Sequence, residues 1–205
     1  FLIARRLMYW QVYMHKTVIA SEKLLINLLR RAKELAVEGR NLYATPALRF
    51  FLYNSIGPDD LYRENEFTPG IIAANFTRLD DSDIFVSAKY WMDSSDRILS
   101  DLASRLAERG LYAVELQNKP FSAAKVNRMI EKLTDVMKLD PALAGYYVFS
   151  DSISNLAYSA GFPEVKILLK SGETAGISEV SDMFGESFLS ERITRYFLCY
   201  PKELR

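Results

Sequence analysis

The spacing of apolar residues changes once along this chain of 205 residues, close to Gly110. Before Gly110 they recur at steps of three and four residues, which is the spacing of one face of an α-helix. After it, short segments such as LYAVEL at 111–116 alternate apolar with other residues, as a half-buried strand does. The sequence therefore predicts an α+β protein, with a helical part over 1–110 and a small ferredoxin-like subdomain over 111–205.

The helical part is predicted to begin with one long helix that runs from residue 1 to about residue 38 and ends at Gly39. Its apolar stripe consists of Leu7, Met14, Val18, Leu25, Leu28, Leu29, Ala32 and Leu35. Three shorter helices follow, the last of them capped by Ser94 or Ser95. The middle one begins at an acidic cluster that suits the positive end of a helix, although such carboxylates could also hold a hard divalent cation. The cluster is Asp80, Asp81 and Asp83.

In the subdomain the predicted order is strand, helix, strand, strand, helix, strand, with the helices on one face of the sheet. Ser122 is predicted to cap the first helix, and the second helix is predicted over MFGESFLSE at 183–191. The last strand is predicted over RYFLCY at 195–200. Four aromatic residues are interpreted as sheet packing and give no functional clue: Tyr146, Tyr147, Phe149 and Tyr196.

The composition argues against several classes of function. The chain has 26 lysines and arginines and 26 aspartates and glutamates, so its formal net charge is zero. A zero net charge argues against a protein that coats nucleic acid. The lone cysteine, Cys199, permits no internal disulfide and fits a reducing, cytoplasmic location. No apolar run approaches the roughly 20 residues that cross a membrane, so no membrane association is expected.

The sequence lacks the residues of a zinc site and of a glycine-rich phosphate-binding loop. A zinc site needs about three or four Cys or His ligands, and the chain has one of each, His15 and Cys199. Its glycines are scattered and form no phosphate-binding loop. We therefore expect no metal ligands in this chain and no catalysis by this chain alone.

The segment RRLMYWQVYMHK at 5–16 carries a second stripe beside the apolar one. At about 100° per residue, four of its side chains share one sector of a helix: Arg5, Tyr9, Tyr13 and Lys16. Cations bind phosphate oxygens and phenol rings pack on sugars or bases, so the stripe suits a nucleotide. Alternatively, the cations are solvated or ion-paired and the tyrosines pack against a neighbouring helix, which from composition alone is the commoner arrangement.

Three segments, at 5–16, 79–85 and 106–112, carry a resemblance to a known family. In order and spacing they resemble the HD-superfamily phosphohydrolases related to the deoxynucleoside triphosphate triphosphohydrolases. In that family an Arg is followed eight residues later by a Tyr and then by a His-Lys pair. Here these residues are Arg5, Tyr13, His15 and Lys16. The segments LDDSDIF at 79–85 and LAERGLY at 106–112 are similar to later parts of the family pattern. The resemblance extends over nearly the whole chain.

The resemblance implies a metal-dependent enzyme that hydrolyses nucleotides. That family holds its divalent metal with a His…His-Asp…Asp set, so we expect this chain to be a C-terminal fragment whose metal ligands precede Phe1 in a longer protein. By the same resemblance, Arg5 contacts a substrate phosphate and Tyr13 packs on the deoxyribose. His15 and Lys16 are expected near an activating nucleotide at a subunit interface, which implies a homo-oligomer. The alternative is a non-catalytic regulatory or oligomerisation module.

Overall fold

The computed structural model describes residues 4, 7–62, 68–155, 166–176, 180 and 193–205. The chain forms two compact units. The helical unit is Ala20–Tyr112, and the mixed unit combines Phe1–Ile19 with Ala113–Arg205. The domains expected over 1–110 and 111–205 remain a prediction. The compact units differ from them because the start of the chain groups with its second half.

The first segment of the chain is not the single helix that the sequence predicts. A π-helical turn spans Tyr9–Tyr13, and helix α1 then spans Lys16–Val37. The Met14 N–H donates to the Tyr9 carbonyl at 3.0 Å and closes the wide turn. The prediction of one helix over 1–38 is therefore wrong, because the backbone groups between the two helical segments are satisfied without a continuous α-helix.

The helical unit contains most of α1 and four shorter helices. These are α2 (Pro46–Tyr53), α3 (Pro69–Phe76), α4 (Asp81–Trp91) and α5 (Arg97–Ala107). Its most deeply buried large side chains are Leu24, Leu28, Leu35, Trp91, Leu99 and Leu102. The leucines recur at helical spacing along α1 and α5, so each of these helices turns one apolar face to a shared core, to which α4 adds Trp91.

Capping residues determine where α4 and α5 begin. Asp80 Oδ1 accepts from the Asp83 backbone N–H at 3.3 Å, and Asp83 Oδ2 accepts from the Asp80 N–H at 2.8 Å. This capping box confirms the helix-capping interpretation of the acidic cluster. The prediction that Ser94 or Ser95 caps α5 is wrong. The cap is Asp96, which accepts from the Leu99 N–H at 2.8 Å.

The mixed unit confirms the predicted α+β class. It contains β1 (Ala113–Gln117), α6 (Ala123–Met137), β2 (Phe149–Asn155), β3 (Lys166–Leu168), β4 (Thr174–Gly176) and β5 (Ile193–Tyr200). Short 3₁₀ turns lie at Pro141–Tyr146 and Lys202–Leu204. Ser122 caps α6 as predicted, accepting from the Lys125 N–H at 3.3 Å.

The strand order of the mixed unit does not show the ferredoxin-like topology. An antiparallel sheet has the order β1-β5-β2, so the last strand lies between the first two. Strands β3 and β4 form a separate hairpin, whose turn contains Gly172 at a φ of 88°. This left-handed conformation favours glycine. The helix predicted over 183–191 lies outside the described residues.

Polar contacts tie α6 to the rest of the mixed unit. Lys125 Nζ lies 2.5 Å from Glu115 Oε2 on β1, and Lys132 Nζ donates to the Leu204 carbonyl at 2.6 Å. These two contacts hold the first turn and the middle of α6 against other elements. Across the ranges that the structure describes, no helix is both long enough and apolar enough to cross a bilayer.

Candidate ligand-binding site

A cavity of about 430 Å³ opens in the mixed unit, between the start of α1 and strands β1 and β5. The described residues that line it include no carboxylate: Gln11, Met14, His15, Lys16, Leu116 and Arg195. Four of them belong to the segment that the sequence analysis singled out. The other two, Leu116 and Arg195, come from predicted strands to which the sequence analysis assigned no function. The cavity therefore brings together residues that are far apart in the sequence.

The break before α1 places His15 and Lys16 at the cavity. The carbonyl of His15 accepts the first helical hydrogen bond of α1, from the Ile19 N–H at 3.1 Å. Its Nδ1 accepts a hydrogen bond from the Thr17 N–H at 3.2 Å, so His15 acts as the N-cap of the helix. In the neutral imidazole the proton then resides on Nε2, which can donate to a ligand. Lys16 follows directly as the first residue of α1.

Arg195 is the cavity residue that sequence reasoning missed. It lies two residues before Phe197 on β5, and Phe197 pairs with Leu116 on β1. Side chains alternate along a strand, so Arg195, Phe197 and Leu116 share one face of the sheet. Asn118 Oδ1 accepts a hydrogen bond from Arg195 Nη1 and helps to orient the guanidinium. The signal in the sequence was an arginine at a position of β5 that alternates with buried residues.

The electrostatics around the cavity favour an anion. Glu115 on β1 is already paired with Lys125 and also accepts from the Tyr200 hydroxyl at 3.0 Å. The hydrogen bond from Lys125 is the main cause of the lowered pKa of Glu115, and the charge of Lys16 lowers it further. Glu115 is therefore paired with Lys125, and the described lining of the cavity contains two cations, Lys16 and Arg195.

Tyr13, another predicted site residue, lies apart from this lining. Tyr13 is not among the residues that line the cavity, and its ring lies against Tyr9 with a centroid distance of 4.9 Å and an interplanar angle of 43°. The side chain of Tyr13 is 48% exposed and can accept a further partner. Arg5 lies outside the described residues. The structure thus brings His15 and Lys16 together with Arg195.

The lining supplies hydrogen-bond donors and apolar surface. Lys16, Arg195 and the Nε2–H of His15 are donors suited to an anion. Met14 and Leu116 provide apolar surface on which a ring can pack. In the described part of the chain, no three His, Cys, Asp or Glu side chains are grouped so that they could hold a metal ion. The arrangement is chemically suited to binding a small anionic, ring-bearing molecule.

No protein-family model matches the chain. It is 29% identical over 214 residues to the uncharacterized protein YwfO of Bacillus subtilis, and the match covers 100% of this chain and 44% of YwfO. The fold is similar to the crystal structure of a phosphohydrolase from Bacteroides thetaiotaomicron, with a TM-score of 0.86 and 38% sequence identity. That match covers 98% of this chain and 49% of the phosphohydrolase. The chain is therefore related to a phosphohydrolase and spans about half the length of the proteins it matches.

Proposed function

We propose that this chain is the C-terminal part of a metal-dependent, HD-type phosphohydrolase that acts on a deoxynucleoside triphosphate. In this proposal the chain supplies side chains that bind nucleotides, and the metal ligands lie in another part of the longer protein. The observation that carries this proposal is the 38% identity to a phosphohydrolase over 98% of the chain. The resemblance of Arg5, Tyr13, His15 and Lys16 to the HD-superfamily pattern supports the narrower class.

The cavity of the mixed unit is assigned to an effector nucleotide. Lys16 and Arg195 offer an ammonium and a guanidinium group to its phosphates, and charged donors of this kind make the stronger hydrogen bonds. His15 adds the Nε2–H, while Met14 and Leu116 contact the base or sugar. The proposal includes a homo-oligomer in which this cavity lies at a subunit interface, as the resemblance implies.

Two further residues are assigned to the substrate. Arg5 is proposed to bind a substrate phosphate, where a guanidinium compensates charge that develops in the transition state. Tyr13 is proposed to pack on the deoxyribose, and its exposed ring supports that role.

The divalent metal that this family uses does not fit the residues described here, because no suitable group of ligands is formed among them. Metal-dependent cleavage is accordingly assigned to the part of the longer protein that this chain does not cover.

The binding role can be tested on the 205-residue chain with each of the four deoxynucleoside triphosphates by isothermal titration calorimetry. Lys16→Ala and Arg195→Ala are each expected to weaken binding by about tenfold or more, the effect of losing a charged hydrogen bond. Arg128→Ala is the matched control, since Arg128 is an exposed cation of the same unit that does not line the cavity. Unchanged affinity in both cavity variants would show that the cavity is not the nucleotide site.

The catalytic part of the proposal needs the longer protein that contains this sequence. Metal-dependent release of triphosphate is expected from that protein and not from the 205-residue chain. Arg5→Ala should lower kcat by about 100-fold or more with unchanged metal content, while Tyr13→Ala should mainly raise KM. Ion-exchange chromatography of the products and elemental analysis give both readouts. Hydrolysis by the 205-residue chain alone, or full turnover in Arg5→Ala, would contradict the assignment.

A regulatory module is the second candidate function, and the donor-rich cavity supports it equally because binding alone needs no nucleophile. The two candidates differ in one result. A longer protein that binds nucleotides through Lys16 and Arg195 without hydrolysing them would favour the regulatory module.

A further inference from the structure

A second cavity, of about 280 Å³, lies within the helical unit where α1 ends beside the turn between α4 and α5. The residues that line it are Leu35, Arg40, Asn41, Leu42, Tyr43, Tyr90, Trp91, Ser94, Ser95 and Asp96. No sequence pattern singled out this place. Its volume is close to the lower limit, about 300 Å³, of pockets that bind small molecules. It therefore suits a ligand with one ring rather than an extended one.

One wall of this cavity is aromatic. The rings of Tyr43 and Tyr90 stack with centroids 3.8 Å apart and an interplanar angle of 18°. The two residues nevertheless remain 43% and 59% exposed. Trp91 is buried beneath them, and its indole N–H donates to the Tyr43 carbonyl at 2.8 Å. A rigid, exposed pair of rings offers a flat surface on which another flat ring can stack.

The charged residues of the described lining are one cation, Arg40, and one carboxylate, Asp96. Arg31 donates to Asp96 through Nε at 3.1 Å and Nη2 at 2.6 Å, and its Nη1 donates to Glu34 at 3.2 Å. Arg30 lies 3.9 Å from the other oxygen of Glu34. Asp96 and Glu34 are therefore already paired with arginines. In the part of the chain that the structure describes, the Arg40 guanidinium makes no hydrogen bond. Its positive charge nevertheless contributes to lowering the pKa of Asp96.

Hydroxyl groups complete the polar side of the cavity. Ser94 Oγ accepts from the Asp96 backbone N–H at 3.2 Å, which leaves its own proton to donate elsewhere. Ser95 is exposed beside it. The carboxylate of Asp96 is held by Arg31 and by the N-terminus of α5, so an incoming anion does not meet an unmatched negative charge.

We propose that this cavity binds a small molecule that carries one flat ring and one anionic group. The ring covers the Tyr43–Tyr90 pair. The anionic group, a carboxylate or a phosphate ester, accepts hydrogen bonds from Arg40 and from the hydroxyls of Ser94 and Ser95. This inference does not rest on the proposed function, because it uses other residues in the other unit.

The test uses the 205-residue chain with the substitution Trp10→Phe, which leaves Trp91 as the one tryptophan of the sequence. Its indole N–H cross-peak is followed by ¹H–¹⁵N NMR during titration with phenyl phosphate or with benzoate. Benzyl alcohol supplies a ring without the anion, and inorganic phosphate supplies the anion without the ring. We expect saturable shifts with at least one of the two aromatic anions at millimolar concentration, and at least about tenfold weaker binding of both control compounds.

Two arginine variants make the test specific. In the Trp10→Phe background, Arg40→Gln is expected to weaken binding of the aromatic anions by about tenfold, since one charged hydrogen bond is lost. Arg78→Gln, which removes an exposed arginine of the same unit outside the cavity, should leave the affinity unchanged. Binding of phenyl phosphate alone would assign the site to phosphate esters, and binding of benzoate alone to carboxylates. No saturable shift with either anion, or equal affinity in Arg40→Gln, would overturn the proposal.

Discussion

Replacing Asp96 with alanine is expected to destabilise the helical unit by about 3 kcal/mol. This carboxylate has two structural roles. It accepts two hydrogen bonds from Arg31 on α1, and it caps α5 through the Leu99 N–H. The side chains of Arg31 and Asp96 are 15% and 13% exposed, so the ion pair is largely shielded from water.

The magnitude follows from adding the two roles. Loss of an N-cap costs about 1 kcal/mol. Breaking an ion pair costs about 0–1 kcal/mol at the surface and about 3–5 kcal/mol in the interior, and the small exposure of this pair places it near 2 kcal/mol. Asp96→Asn retains an oxygen that can cap α5, so it should lose only the second contribution. The two variants therefore separate the cap from the ion pair.

Urea unfolding, followed by Trp91 fluorescence in the Trp10→Phe background, measures the free energy of unfolding of the helical unit. Asp93→Ala is the matched control, because Asp93 is an exposed carboxylate close by in the sequence, and its effect should stay within about 0.5 kcal/mol. A loss of less than about 1 kcal/mol in Asp96→Ala, or an equal loss in Asp93→Ala, would refute the two structural roles assigned to Asp96.

The contribution of Asp96 should also depend on pH. Burial raises the pKa of Asp96, but the hydrogen bonds from Arg31 and Leu99 outweigh burial and hold this pKa below its usual range. In the unfolded state the pKa of an aspartate carboxyl is about 3.9. The Asp96 carboxyl therefore binds a proton more readily in the unfolded state than in the folded state. The stability from Asp96 is thus present above about pH 4 and is lost as the pH falls through the folded pKa. The difference between the wild type and Asp96→Ala should shrink in acid.

Three further predictions concern single residues. His15→Ala should destabilise the first turn of α1 by about 1 kcal/mol, because the N-cap is lost. His15→Asn should restore this stability, and hydrogen exchange at the Thr17 amide measures both effects. Burial, followed by the hydrogen bond to Glu115, raises the pKa of the Tyr200 phenol, so stability should fall as the pH rises above about 10. In Tyr200→Phe that fall should be smaller in alkaline urea titrations. Gly39→Ala should cost about 1 kcal/mol in urea unfolding, because Gly39 has a φ of 83°.

Local chemistry made much of the fold predictable. The acidic cluster at Asp80 and the cap at Ser122 act within three residues of themselves, so the sequence alone indicates where α4 and α6 begin. The helical periodicity before Gly110 and the alternation after it gave the fold class for the same reason. Local signals were misleading at α5, since Ser94 and Ser95 are good caps by type but Asp96 is held in place by Arg31.

Other features depend on contacts between residues that are distant in the sequence. The apolar spacing continues across Met14 and His15, so no pattern showed the π-helical turn or the break before α1. Strand order is set by pairing between segments, and placing β5 between β1 and β2 leaves no mark in any one strand. Arg195 reaches the candidate site only through this pairing. That is why the sequence singled out His15 and Lys16 but could not place Arg195 beside them.

The grouping of residues 1–19 with 113–205 has a consequence for synthesis on the ribosome. The helical unit is contiguous in sequence and can fold as soon as it has emerged. The opening segment, in contrast, meets its partners on β1 and β5 only after those strands are made, at about 5–20 residues per second. Until β5 is made, the contacts of this segment within the mixed unit are incomplete, so a nascent chain stalled before β5 should be the form of this protein most dependent on chaperones.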